Sequence, residues 1–188
     1  MISKKMEFFV ASGSAIRAMF EEGKQMAAVY GAENVCDFSL GNPNLPTPAA
    51  VKDAIIQILD QVEPVELHGY MNNSGFADVR GDIARSINKK FDTAFSGENI
   101  VMTVGAAGGL NVILKTLLNP HDQIMVFAPY FGEYRSYAIN YDADFAVVPA
   151  SIPFFQPNLE QFEKMLNPKT KVVILNSPNN PTGVIYTK

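Results

Sequence analysis

Three short stretches of the chain combine residue types that can do chemistry with a position at what reads as the end of a strand. In Thr103-Val104-Gly105-Ala106-Ala107-Gly108-Gly109, small residues lead into an apolar helix carrying Leu110, Ile113, Leu114, Leu117 and Leu118. Small side chains let an anion reach the unpaired N–H groups of a helix N-terminus, where the dipole also favours negative charge. Gly105, Ala106 and Ala107 are therefore a candidate phosphate seat. The spacing is not Gly-x-Gly-x-x-Gly, and no Gly-Lys-Ser/Thr follows, so neither the dinucleotide fingerprint nor the nucleoside triphosphate loop is present. A tight turn with close helix packing would use the same small residues.

Ala128-Pro129-Tyr130-Phe131 delivers two aromatics to a strand's carboxyl end, the edge at which open α/β sheets bind ligands. Phe131 or Tyr130 could stack on a flat ring there, and capping the core would ask for the same rings. The third stretch is Asn176-Ser177-Pro178-Asn179-Asn180-Pro181-Thr182-Gly183. Asn179 and Asn180 present amide donors within a proline frame, which suits them to hold an oxygen anion, although an ordinary turn also favours Asn, Pro and Gly.

Other candidates carry less. Tyr70 lies among turn residues, and Gly41-Asn42-Pro43 reads as a turn. His68 and His121 are far apart, with no Cys or carboxylate at ligand spacing, and Asp142 and Asp144 read as a solvated turn, so no metal site is expected. Ser12-Gly13-Ser14 and Ser74-Gly75 do not match a Gly-x-Ser-x-Gly elbow, which leaves a serine hydrolase without support.

The elements that must position these stretches follow from periodicity. Ile16, Met19, Phe20, Gly23, Met26, Ala27 and Tyr30 recur at three and four, as on an amphipathic helix. Residues 36–40 read as a short extended piece. Thr47 then offers a capping hydroxyl and Pro48 a first helical position to a helix with the stripe Val51, Ala54, Ile55, Ile58, Leu59 and Val62. A further helix is expected to bury Phe76, Val79, Ile83, Ile87 and Phe91. From residue 100, short β-branched runs at 100–104, 124–128, 145–148 and 172–175 alternate with helices, which implies βαβ units and a parallel sheet buried on both faces.

Composition sets the frame. The 188 residues include 15 Lys and Arg against 19 Asp and Glu, a net charge of −4, with 47% hydrophobic and 18% charged residues. Such a chain is globular rather than disordered and has no basic field to gather nucleic acid. Cys36 stands alone, so no internal disulfide can form and a reducing, cytoplasmic setting fits. The Lys4-Lys5 start with Phe8, Phe9, Val10 and Ala11 is interrupted by Glu7 and too short for a signal peptide, and no run reaches a membrane span.

Taken in order, these loops resemble the class I aminotransferases, pyridoxal phosphate enzymes of the aspartate aminotransferase fold. Leu40-Gly41-Asn42-Pro43 with Thr47-Pro48 is similar to the family's entry loop, and Tyr70 through Gly75 to Arg80 to its Tyr, Gly and Arg stretch. Thr103 to Ala107 is similar to the phosphate loop and Pro129-Tyr130-Phe131 to the ring-stacking segment, while the Asn-Pro-Thr-Gly loop at residues 176–183 is the most diagnostic. The resemblance implies an α/β fold with a mainly parallel sheet and helices on both faces. It also implies that residues 1–45 belong to a small domain and 46–188 to the first half of the cofactor-binding large domain.

By the same resemblance, Gly105, Ala106 and Ala107 would hold the phosphate of pyridoxal 5'-phosphate and Phe131 would stack on its ring. Asn180 would donate to the phenolic oxygen and meet the substrate carboxylate, to which Gly41 would offer its N–H. Tyr70 would reach the phosphate of a partner subunit's cofactor, which implies a homodimer with shared sites. Amino acid and 2-oxo acid substrates follow, with no nucleic acid and no membrane partner. Two positions depart from the family: His121 stands in a turn where Gly is common, and Phe131 where Trp is common. The Schiff-base lysine and the other catalytic residues follow the Asn-Pro-Thr-Gly signature in the family, so the expectation is an N-terminal part of a longer enzyme with no catalytic residue of its own. A pyridoxal phosphate β-lyase, a noncatalytic dimerisation or ligand-binding unit on the same fold, and a nucleotide-binding α/β domain are the alternatives.

Overall fold

The computed structural model describes residues 1–13, 15–41, 43 and 45–187. Ser14, Asn42, Asn44, Lys188 and the side chains of residues 12 and 15–17 lie outside the described set, and with them the Asn42 of the expected entry loop and the Ile16 of the first helical stripe. The chain divides into two units, Met1–Gly69 and Tyr70–Lys188.

In the first unit, α1 (Lys4–Ser12) is capped by Ser3, whose side chain accepts from the Met6 N–H. The apolar run after Lys5 is thus helical, which its brevity concealed. The expected amphipathic helix is α2 (Ala15–Tyr30), closed by the Asn34 side chain donating to the Tyr30 carbonyl at 2.8 Å. Residues 36–40 form no strand, and α3 (Ala49–Gln61) begins one residue later than the Thr47-Pro48 pattern suggests. Pro48 is its N-cap and no side chain caps it, so the Thr47 hydroxyl is not the expected cap. The α3 stripe is exposed at Val51, Ile55, Ile58 and Leu59. The one-turn helix α4 (Pro64–Leu67) follows, with proline at its first position, where a missing N–H costs little.

The second unit opens with α5 (Ala77–Phe91), whose buried residues are Arg80 and Ala84. This corrects the expected face: Phe76, Val79 and Phe91 are exposed. The helix packs through Arg80 onto the turn at Gly97–Asn99, so a polar side chain directs it. Residues 100–104, expected as a strand, are extended at Ile100 but belong to no strand, because none of the described strands pairs with them. An extended segment becomes a strand only when a neighbour satisfies its backbone groups.

Beyond it run α6 (Gly105–Leu117), β1 (Gln123–Phe127), α7 (Glu133–Asn140), β2 (Asp144–Val148), α8 (Leu159–Met165) and β3 (Thr170–Ile174). The strands form a parallel 3-stranded sheet in the order β2-β1-β3, with Met125 opposite Ala146 and Val173. The connection from β1 to β2 and the return from β2 to β3 run in opposite directions across the sheet. Right-handed crossovers then require α7 and α8 on opposite faces. The packing agrees: Leu114, Ile124 and Ala138 cluster on one face, and Met125, Phe127 and Val148 with Phe162 and Met165 on the other. Each fully buried aliphatic side chain here, such as Leu114 or Ile124, contributes about 1.5–3 kcal/mol. Burial on both faces holds for β1, while β3 alternates, with Val173 exposed.

The α6-to-β1 turn places His121 at φ 67°, a left-handed conformation that favours glycine. It is held by the His121 N–H donating to the Asp142 carbonyl at 2.8 Å and by Asp122, whose carboxylate accepts from the Asn119 N–H at 2.8 Å. That hydrogen bond, followed by the Asn119 amide and the Lys171 and Lys169 charges, outweighs desolvation and lowers the Asp122 carboxyl below 3.8. No helix among the described residues is long and apolar enough to cross a membrane.

Candidate functional site

Because the strands are parallel, β1 and β3 release their following loops at the same edge of the sheet. After β1, the Ala128 N–H donates to the Val148 carbonyl at 2.9 Å, continuing the ladder for one more residue. The chain then turns through Pro129 and sets its two aromatics against different supports. Tyr130 meets Phe145 edge to face at 5.2 Å between centroids, and Phe131 meets Tyr134 edge to face at 5.6 Å. Tyr134 is itself buried, and burial pushes its hydroxyl above the usual tyrosine value. Tyr130 is thus a core-capping ring, while half-buried Phe131 is braced by Tyr134.

After β3, the two asparagines that the sequence presents as equals separate. Asn179 is 7% exposed. Its amide nitrogen donates to the Pro129 carbonyl at 3.2 Å and to the Tyr186 hydroxyl at 3.0 Å, and its amide oxygen accepts from the Thr182 hydroxyl at 2.8 Å and the Thr182 N–H at 3.2 Å. Its backbone closes the loop as well, donating to Val184 at 2.8 Å and accepting from Gly183 at 2.7 Å. Asn180 is exposed, and its backbone N–H donates to the Asn176 side chain at 2.8 Å. The loop after β3 is thereby tied to the loop after β1, bringing the Phe131 segment and the Asn180 segment together.

The small-residue stretch opens α6. Val104 is the N-cap and makes no side-chain hydrogen bond, so the first turn carries no capping oxygen. The Gly105 N–H turns back to the Thr103 carbonyl at 2.9 Å, and the Thr103 hydroxyl donates to the Gly105 carbonyl at 3.0 Å. Gly105 has φ 68° with nothing near the position of a Cβ. Only residues 118–122 separate α6 from β1, so the last turn of α6 lies at the amino end of that strand, where Leu114 packs on Ile124. A helix of 13 residues is about 20 Å long, so the first turn of α6 stands about that far from its last turn.

What the sequence did not reveal is how the stretch from Tyr70 to Arg80 holds the approach to this turn. The Ser74 carbonyl accepts from the Met102 N–H at 3.0 Å, and Gly75 at φ 95° lies against the Met102 side chain. Arg80, 6% exposed, donates to the Gly97 carbonyl at 2.7 Å and the Ile100 carbonyl at 3.5 Å, while its Nε is buried without a partner among the described residues. Its ion pair with Glu98, at 3.5 Å, involves an exposed carboxylate and contributes little. An Arg within a helix and a Gly in a turn are the only signals the sequence holds for this clamp.

Tyr70 is 110% exposed and is not brought against the other candidate residues. Gly41 lies in the first unit, exposed, with open space where a Cβ would stand. No group of three or more His, Cys, Asp or Glu side chains among the described residues is arranged to hold a metal ion.

Residues 33–188 match the family described as "Aminotransferase class I and II". An aspartate aminotransferase of Thermotoga maritima is 33% identical over 173 residues, covering 92% of this chain and 45% of that protein. An aromatic-amino-acid aminotransferase of Thermococcus litoralis is 27% identical, covering 100% of this chain and 46% of its own. The crystal structure of an amino transferase from Eubacterium rectale superposes with a TM-score of 0.94 at 38% identity, over 100% of this chain and 48% of that one. The chain spans about half the length of the curated relatives it matches.

Proposed function

The chain belongs to the class I and II aminotransferases, a family that uses pyridoxal 5'-phosphate, and from that premise we propose that its full-length protein moves an amino group between an amino acid and a 2-oxo acid. The observation that carries the reading is the first turn of α6. It is uncapped and built from small residues, and in this reading it faces the Phe131 and Asn180 loops, which Asn179 ties together. The residues present fit the cofactor: no side chain caps the first turn of α6, and the position beside Gly105 is open.

In this reading the N–H groups of Ala106 and Ala107 hold the phosphate beside Gly105, whose own N–H is turned back to Thr103, and the helix dipole favours the phosphate's charge there. Phe131 would stack on the ring, with less area than the tryptophan common in the family. Asn180, free of the bonds that occupy Asn179, donates to the phenolic oxygen and to the substrate carboxylate, and Gly41 offers its N–H to the same carboxylate. When bound, pyridoxal phosphate supplies the electron sink for the carbanion left on deprotonating the amino acid's α-carbon. The chain's own contribution is to bind and orient the cofactor and substrate.

Residues 1–45 are assigned to the small domain and 46–188 to the first half of the large one. Full exposure of Tyr70 supports its reaching the cofactor phosphate of a partner subunit in a homodimer with shared sites. A lone cysteine supports a cytoplasmic setting. The test is product analysis with the full-length protein, pyridoxal phosphate, an amino acid and 2-oxoglutarate. Glutamate is the expected product. Ammonia and pyruvate without glutamate would replace transfer with β-elimination, and no turnover with any donor would favour a noncatalytic unit.

A further inference from the structure

Among the described residues, the buried amide of Asn179 is the one side chain that bonds across from the loop after β3 to the loop after β1. Every polar atom of it is used. The nitrogen donates to Pro129 and Tyr186, and the oxygen accepts twice from Thr182, while its main chain exchanges bonds with Gly183 and Val184. Pro129 stands two residues before Phe131, and Asn179 one residue before Asn180. A displacement of Asn179 therefore moves both the ring that would stack and the amide that would donate.

Resting on the aminotransferase reading above, we infer that Asn179 is a positioning residue: its amide sets the spacing between Phe131 and Asn180, and so the cofactor's ring contact and the donor to its phenolic oxygen are fixed together by one group outside the contact surface. An aliphatic side chain would fill the same volume but leave the Pro129 carbonyl and the Thr182 N–H without partners and the Thr182 hydroxyl with only the Val184 N–H, and buried groups left unpaired re-orient to find water.

The experiment uses the full-length protein with pyridoxal phosphate as the probe. Two quantities are read for wild type, Asn179→Ala, Asn180→Ala and the double variant: the dissociation constant for pyridoxal phosphate, and the pH at which the bound cofactor's visible absorption band converts. Neither depends on turnover. The expected result is that Asn179→Ala weakens cofactor binding about tenfold or more and moves the conversion pH in the same direction as Asn180→Ala. The double variant should then show little further movement, because residues that act as a unit are non-additive. Wild-type values for Asn179→Ala, or effects that add to those of Asn180→Ala, would overturn the inference.

If Asn179→Ala does not fold, Tyr186→Phe and Thr182→Val each remove one of its side-chain partners. Each should weaken cofactor binding by about two- to fivefold, the effect of a single hydrogen bond. Wild-type binding by both would overturn the inference. Absence of cofactor binding by the wild-type protein is the separate outcome that would remove the aminotransferase reading itself.

Discussion

Gly75 lies so close to Met102 that a Cβ built on it would stand 2.4 Å from Met102 Cγ and 2.8 Å from its Cβ. The contact matters because Met102 also donates its N–H to Ser74 and leads directly into Thr103 and the first turn of α6. The turn at residues 74–75 therefore fixes the approach to the first turn of α6 from outside it.

Replacing Gly75 by Ala adds a steric clash to a φ of 95° that side chains disfavour. We expect the full-length protein to lose about 2–4 kcal/mol of stability, from overpacking and left-handed strain together. Denaturant unfolding measures this. Gly75→Ala combined with Met102→Ala should recover only the part due to Met102 Cγ, since the Cβ contact and the left-handed strain remain, and an unchanged midpoint in the single variant would contradict the contact.

A carboxylate at Ala107 separates the fold from the seat. Ala107→Glu places a negative charge in the first turn of α6, where the dipole stabilises the helix by about 0.3–1 kcal/mol, while the same charge repels a phosphate. Thermal stability without cofactor should hold or rise, and pyridoxal phosphate affinity should fall at least about tenfold. Retained affinity in an equilibrium titration would place the phosphate elsewhere.

Phe131→Ala should weaken pyridoxal phosphate binding by about five- to tenfold, the scale of one aromatic pair, and Phe131→Trp should restore or strengthen it. Fluorescence titration of both variants checks this. Equal affinities would mean that the ring only packs against Tyr134.

Acid sensitivity has an identifiable contributor in Asp122. Its carboxyl is lowered from 3.8 in the folded chain, chiefly by the Asn119 N–H, so its contribution is complete above 3.8 and is lost as pH falls through the depressed value. Asp122→Ala should therefore melt lower than wild type near neutral pH, with the gap closing in strong acid. Melting curves across that range test the sign, and a gap that widens on acidification would contradict it.

The strands at residues 123–127, 144–148 and 170–174 were legible because β-branched runs bounded by turn residues declare themselves locally. Residues 100–104 carry the same signal and form no strand, since pairing depends on a neighbour that local pattern cannot supply. The buried face of α5 was misjudged for a related reason: the apolar stripe of Val79 and Phe91 is exposed, and Arg80 is buried through carbonyls distant in sequence. Types and order nominate Gly105, Phe131 and Asn180 as candidates, whereas Asn179 and Asn180 are indistinguishable as letters. Only the hydrogen-bond geometry separates the amide that ties the loops from the amide left exposed.

Amino transfer is tested most directly by a single turnover without an acceptor. Full-length protein loaded with pyridoxal phosphate is mixed with an amino acid alone, and the 2-oxo acid and ammonia released are counted. The account predicts one 2-oxo acid per cofactor, no ammonia, and a halt that ends when 2-oxoglutarate is added and glutamate forms. Continuous release of ammonia with no need for an acceptor would contradict it.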